Sequence, residues 1–282
     1  MSKAIKYITK VKGVTFSDTF VIMLAKSSFT LLRNFLKLIM GKEKAYNWLA
    51  AKDWSYINFM IKDVTIKTSE GVIFFCRKKR GDLNVVGEHY EADQMDIHFK
   101  PKQNEVVIDL GANVGKYALL ACKKVGNEGL VFAIDPDPDC VRIIEKNKNL
   151  NKFKNLVILD AAVGDKDTQV EFYQSFDGAR HSTTWIPPHE AKTIKVEQIT
   201  LDSLMKKYNI KEIDWCKIDA EGAEYEILKG GKEALNYIKN ILLEVHTKVL
   251  ENQCNALLQQ HGFQMKEIAR ETKDRSWWYV YK

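Results

Sequence analysis

Apolar and polar positions along the chain change rhythm three times. Through about residue 60, large aliphatics recur at helical spacing in FVIML, FTLL, FLKLIM and YNWLA, with Lys and Arg between them. That pattern predicts basic amphipathic helices. From Lys62 the period becomes two: DVTIKT, a Ser-Glu-Gly turn and VIFFCR predict a β-hairpin. A polar stretch then runs to Pro101, and the domain junction is expected near residue 100, dividing 1–100 from 101–282.

Beyond the junction, buried apolar runs alternate with amphipathic ones. VVIDLGANVG is an apolar run that ends in Asp109 and turns through Gly111 and Gly115 into the helical pattern KYALLACKKV. LVFAIDPDPD ends at Asp135 and NLVILDAAVGD at Asp160, each preceded or followed by a helical segment. The three carboxylates lie 26 and 25 residues apart, the repeat length of a βα unit, so each is expected at the C-terminal end of its own strand. In an open parallel sheet with right-handed crossovers those ends line one crevice, where ligands bind.

Residues 168–198 interrupt the repeat: QVEFYQSF and TIKVEQI read as short strands flanking the polar and aromatic loop DGARHSTTWIPPHEA. An insertion over the strand ends shapes a substrate pocket. The alternation resumes with the strand IDWCKIDAEG ending at Asp219 and, 25 residues on, NILLEVH ending at Glu244 and His246. FQMKEIA and SWWYVY close the chain and are expected to pair antiparallel at one edge of the sheet. The fold class is therefore α/β, a Rossmann-like sheet with a helical N-terminal extension and a hairpin.

The glycine loop narrows the ligand. Its G-x-x-x-G spacing lacks the middle glycine that lets a pyrophosphate lie against the backbone of a dinucleotide fold. Asp135, 24 residues after Gly111, is placed to accept both hydroxyls of a ribose, with Asp160 and Ala161 one strand further where adenine would lie. Asp109, Asn113 and the turn amides would face the remaining end of the ligand. An adenosine without phosphates describes S-adenosylmethionine. NAD is the competing occupant, with Tyr225 and Lys229 at reductase spacing, although such a pair arises readily by chance on a helix.

Methyl transfer to an oxygen also needs a base. Asp219, Glu244 and His246 end the strands across the crevice, and His246 has the ordinary pKa best suited to the task. His181 in the inserted loop is a second base candidate. No closely spaced His/Asp ligand pair stands out, so no metal is expected.

Composition alters this picture only at the N-terminus. Of a formal charge of +6, the first 44 residues alone carry +7, nine Lys/Arg against Asp18 and Glu43. The arm (residues 1–45) reads either as a membrane-surface segment or as a lid packed on the core with solvated lysines. Its basic residues interleave with aliphatics instead of forming a polar face with stacking aromatics, which disfavours nucleic acid. No run approaches the roughly 20 apolar residues of a membrane span. Five cysteines without a C-x-x-C pattern suggest no disulfide framework or zinc ribbon, and a cytoplasmic location, peripheral to the membrane at most, is expected.

VVIDLGANVGKYALLA, FAIDPDPD, AAVGD, ITLDSL, CKIDAEGAEYEILKGG and ILLEVH, in this order and spacing over residues 85–282, resemble the FkbM family of S-adenosylmethionine-dependent methyltransferases. The resemblance implies a class I methyltransferase sheet of seven strands with the last antiparallel, and O-methylation of a hydroxyl on a sugar, glycolipid or other small metabolite. It assigns Asp109, Gly111, Asn113 and Gly115 to the cofactor loop, Asp135 to the ribose, and Asp219, Glu221 and Glu224 to an acidic signature. Asp135 stands where many members carry glutamate. RNA ribose methylation and a non-catalytic cofactor- or membrane-binding scaffold are the competing functions.

Overall fold

The computed structural model describes residues 12–13, 63–77, 80–88, 98–174, 192–270 and 272–282. The chain separates into two compact units, Met1–Asp93 and Gln94–Lys282.

In the first unit, β1 (Lys12–Gly13), β2 (Val64–Lys67) and β3 (Ile73–Cys76) form an antiparallel sheet in the order β1-β2-β3. The hairpin expected from the period-two pattern is thus present, with Val64, Ile66, Phe74 and Cys76 buried. Helices were expected over residues 1–60. Lys12–Gly13 pairs as a strand with Ile66 and Lys67 instead, in keeping with the poor helix propensity of glycine, and the rest of that expectation lies outside the described residues. The polar stretch before Pro101 contains a short helix, α1 (Asp82–Glu88), which periodicity over seven residues does not reveal. Asp82 at its start takes the backbone N–H of Arg77 at 2.8 Å and grips its guanidinium with both carboxylate oxygens.

The second unit carries a seven-stranded sheet. Its strands are β4 (Val106–Leu110), β5 (Leu130–Asp135), β6 (Leu156–Asp160), β10 (Ile213–Ile218), β11 (Ile238–Val245), β12 (Gln264–Arg270) and β13 (Ser276–Tyr281), in the order β12-β13-β11-β10-β4-β5-β6. Neighbours from β11 to β6 pair in parallel, whereas β13 runs antiparallel to both β11 and β12. The two closing strands do pair antiparallel, but β13 is inserted between β11 and β12, so the edge strand is β12. The central strands are apolar throughout because both faces are covered: every residue of β10 is buried. Ile108, Phe132, Ile134, Cys216, Ile218, Ile241 and Leu243 form the middle of the core, where each large aliphatic contributes about 1.5–3 kcal/mol through burial.

Helices α2 (Lys116–Val125), α3 (Pro138–Asn151), α4 (Leu201–Lys207), α5 (Glu224–Lys229) and α6 (Lys248–Gln260) connect the strands. Three of their starts are fixed by side-chain caps: Asp137 for α3, Thr200 for α4 and Thr247 for α6. The last cap fixes the chain just after His246. The insertion forms β7 (Ala162–Val163), β8 (Thr168–Gln174) and β9 (Lys192–Ile199), a sheet in the order β7-β9-β8. The two strands expected around the polar loop are therefore present. Among the described residues no helix is long and apolar enough to cross a membrane.

Candidate active site

Strand order reverses at β4: the chain passes to β5 and β6 on one side and later to β10 and β11 on the other. A cleft of about 720 Å³ opens there, at the C-terminal ends of the strands. Gly111, Asn113, Ile134 and Asp135 line one side, Ala161, Ala162, Val163 and Phe172 continue it, and Asp219, Glu221 and Ile227 close the other.

Gly111 holds φ +72°, and a Cβ at that position would lie 1.9 Å from the carbonyl oxygen of Asp219. The loops after β4 and β10 therefore meet with no room for a side chain. Asn113 also has a positive φ, 52°, which presents its backbone N–H to Asp135 Oδ2 at 2.7 Å. Asp135 Oδ1 accepts from the N–H of Asp137 at 2.9 Å. Each carboxylate oxygen thus uses one acceptor site on backbone and keeps another. Burial pushes Asp135 up to about 7, against the pull of those two N–H groups and of Lys217, with Asp137 adding to the rise.

Three residues expected at the cofactor stand elsewhere. Asp109 is wholly buried and outside the cleft wall: its Oδ2 accepts from Ala118 N–H at 3.0 Å, capping the first turn of α2 from the end of β4. Helix α2 has no cap of its own, since Gly115 sits at that position with φ +81°. Gly115 is also off the cleft, and a Cβ there would meet Leu119 at 2.4 Å, so packing explains it. Asp160 pairs in register with Asp135 but is exposed, because β6 is the sheet edge and nothing covers its end; its neighbour Ala161 lines the cleft in its place. His181 and its loop lie outside the described residues.

On the other side, Lys217 of β10 is 3% exposed and threads beneath the glycine loop. Its Nζ donates to the carbonyl of Gly111 at 2.9 Å and pairs with Asp109 at 3.4 Å and Asp219 at 3.2 Å. Burial favours the neutral amine, but the two carboxylates outweigh it and raise Lys217 above its ordinary value. Burial likewise works to raise Asp219, and Lys217 with His246 overcomes it, lowering the acid to about 2. Asp109 is raised by burial despite Lys217.

His246 occupies the centre of an acidic cluster. Nδ1 lies 2.8 Å from Glu224 Oε1, and Nε2 lies 3.3 Å from Glu221 Oε2 and 3.9 Å from Asp219 Oδ1. Glu224, wholly buried, is held in turn by the N–H of Gly222 at 2.8 Å. Burial would lower His246, but the Glu224 contact and the surrounding acids raise it to about 9. Burial and the charge of Asp219 push Glu221 up to about 7. Glu244 is buried, lies in hydrogen-bonding contact with Asp219, and pairs with Arg275; burial and Asp219 hold it well above the usual carboxylate range. The structure thus brings together three of the four expected catalytic residues, Asp219, Glu244 and His246.

Glu221 and Glu224 came from the family signature, and the cluster adds Arg275, which sequence reasoning missed. Register supplies the missing signal: β13 runs antiparallel to β11 with Val245 opposite Ser276, which places Arg275 at the end of β11. The reductase pair is not assembled in the cleft, since Lys229 is on the surface bound to Asp165 at 2.9 Å and neither it nor Tyr225 lines the cavity.

With this geometry in view, the chain was compared with known proteins. The family model described as "Methyltransferase FkbM domain" matches residues 109–266. The chain is 25% identical over 221 residues to the hexuronic acid methyltransferase AglP of Haloferax volcanii, covering 76% of this chain and 85% of that protein. It is 23% identical over 159 residues to the 2-O-methyltransferase NoeI of Sinorhizobium fredii, covering 51% and 64%. A solved methyltransferase FkbM from Methylobacillus flagellatus superposes with a TM-score of 0.45 at 16% identity, covering 71% of this chain and 53% of that one.

Proposed function

The chain belongs to the FkbM methyltransferase family, and from that premise we propose that this S-adenosylmethionine-dependent enzyme methylates a hydroxyl of a sugar, glycolipid or other small metabolite. The observation that carries the reading is one cleft with two chemically distinct walls: the hydrogen-bonded acid Asp135 on one side, Asp219 and Glu221 of the acid and imidazole cluster on the other.

Asp135 keeps an acceptor site on each oxygen, the pattern needed for two adjacent ribose hydroxyls. Ile134, Ala161, Ala162, Val163 and Phe172 offer adenine an apolar wall, and Asn113 and Gly111 border the cofactor's amino-acid end. Asp109 serves from behind by capping α2 and anchoring Lys217. Bound S-adenosylmethionine supplies an electrophilic methyl: the acceptor oxygen bonds to that carbon while the carbon–sulfur bond breaks and leaves its electron pair on sulfur. Much of the acceleration in such an in-line displacement comes from positioning. Asp219, Glu244 and His246, with Glu221, orient the acceptor hydroxyl and dispose of its proton, and the loop bearing His181 contributes to acceptor choice.

The names of the relatives favour this class of acceptor, one a hexuronic acid methyltransferase and the other a 2-O-methyltransferase. The basic arm would hold the enzyme near an anionic membrane carrying such an acceptor. The test is incubation with methyl-labelled cofactor and fractionated cell extract, followed by identification of the product. Label in a carbohydrate or glycolipid, stable to mild base as an ether is, supports the reading. Label in RNA, in a base-labile ester, or in nothing would overturn it.

A further inference from the structure

The cluster at the acceptor side contains more acid than its basic neighbours balance. Lys217 is shared between Asp109 and Asp219, and Arg275 is engaged by Glu244, while Glu221 and Glu224 flank a single imidazole. Asp219 and Glu244 are in hydrogen-bonding contact although neither carboxylate has a proton to give when ionised. Two such groups stay together only with a proton or a cation between or beside them.

The position of the imidazole decides which. His246 Nε2 is shielded from solvent and makes no hydrogen bond, although it is aimed between Asp219 and Glu221. Its other nitrogen is held by the wholly buried Glu224. A histidine that gives Nδ1–H to a carboxylate and presents the lone pair of Nε2 to open space is arranged as metal-binding histidines are, with the carboxylate fixing tautomer and ring direction. One ligand atom each from Asp219, Glu221 and His246 lies within 4.8 Å of the others. Ligands roughly 2.1 Å from a common ion are themselves roughly 3.0–4.2 Å apart. The observed 3.3 Å and 3.9 Å from Nε2 to the two carboxylates fall inside that range.

The geometry points to a divalent-cation site formed by Asp219, Glu221 and His246, with Glu224 as the positioning residue for the imidazole. Two carboxylates and one imidazole suit a first-row ion that tolerates mixed oxygen and nitrogen ligands, of which Mn²⁺ is the representative. Three protein ligands leave further positions open, and because Asp219 and Glu221 line the cleft those positions face the acceptor. Resting on the methyltransferase reading, the inference is that the cation holds the acceptor hydroxyl and lowers its pKa, so that the proton leaves to solvent as the oxygen attacks. The sequence conceals the site: Asp219 and Glu221 belong to the loop after β10, His246 follows β11, and only the pairing of those strands joins them.

The test uses the full-length protein, freed of metal with a chelator and dialysed. Mn²⁺ alone is titrated and followed by the loss of its free electron-paramagnetic-resonance signal, and S-adenosylmethionine binding is measured separately by calorimetry. One saturable Mn²⁺ per chain, weakened at least tenfold by His246→Gln and by Asp219→Asn but unchanged by Glu267→Gln on the far edge strand, supports the site. Cofactor binding retained in His246→Gln shows that the variant is folded. Wild-type protein that binds cofactor but takes up no Mn²⁺, or takes it up equally in all three variants, overturns the inference: Asp219 and Glu244 then share a proton, and the methyltransferase reading stands. Mn²⁺ binding without cofactor binding supports the cation site and counts against the reading of the cleft instead.

Discussion

The carbonyl oxygen of Asp219 occupies the space that a side chain on Gly111 would need, 1.9 Å from the ideal Cβ position. This contact sets the distance between the loop after β4, which borders the cofactor side, and the loop after β10, which begins the acceptor side. Gly111→Ala must therefore push two strand-end loops apart and also strain a residue held at φ +72°. A positive φ alone costs a non-glycine residue about 1–3 kcal/mol. The expected outcome is a lowered melting temperature and loss of measurable S-adenosylmethionine binding by calorimetry. A variant with wild-type affinity would show that the loops do not set the cleft.

Asp135→Ala is expected to weaken S-adenosylmethionine at least tenfold, about 1.4 kcal/mol. The acid also gives the affinity a pH dependence. Burial raises Asp135 to about 7, so the ligand-free protein takes up a proton there as the pH falls through that value. Ribose hydroxyls donate to the ionised carboxylate, so binding works against the proton. Affinity should be full above about pH 8 and fall towards tenfold per pH unit well below pH 7. For folding the sign is opposite to that of a salt-bridged acid. An acid whose pKa is raised on folding contributes stability at low pH that is lost as pH rises through about 7. Calorimetry at several pH values on wild type and Asp135→Asn checks the first statement, since the variant should lose the dependence.

Much of this arrangement was legible in the sequence because parallel strands are punctuated. Each buried run ended in a carboxylate, and the 25-residue spacing put Asp135, Asp219 and Glu244 at the same end of one sheet. Where the reading failed, the cause was direction, which spacing does not encode. Asp109 and Asp135 occupy equivalent strand ends, yet one turns under the loop to cap α2 and the other lines the cleft. Asp160 ends an edge strand and is left uncovered. Arg275 and the convergence of Glu221 with His246 depend on which strands are neighbours, and no local pattern reports that.

His246→Ala should lower turnover by about a hundredfold or more while leaving cofactor affinity within a few fold, because His246 stands outside the cofactor wall. Glu224→Gln keeps a hydrogen-bond acceptor for Nδ1 but removes the charge, and a loss of roughly 10–100-fold is expected for a group that orients another. Single-turnover kinetics with calorimetry on both variants separates the two effects. Full activity in His246→Ala would remove the cluster from the chemistry.

The arm makes a prediction that needs no coordinates. Nine Lys/Arg against two acids within the first 44 residues give it +7, with large aliphatics between the charges. Each basic residue close to an anionic leaflet contributes about 1 kcal/mol, an attraction that salt screens within about 10 Å at 0.1 M. Full-length protein should therefore float with anionic liposomes at low salt, release as salt is raised, and ignore neutral liposomes. A version lacking residues 1–45 should stay at the bottom of the gradient while binding S-adenosylmethionine normally. Equal flotation of the two proteins would leave the arm as a lid whose lysines are simply solvated. Normal cofactor binding with lost flotation would make the arm a means of bringing the cleft to a membrane-borne acceptor.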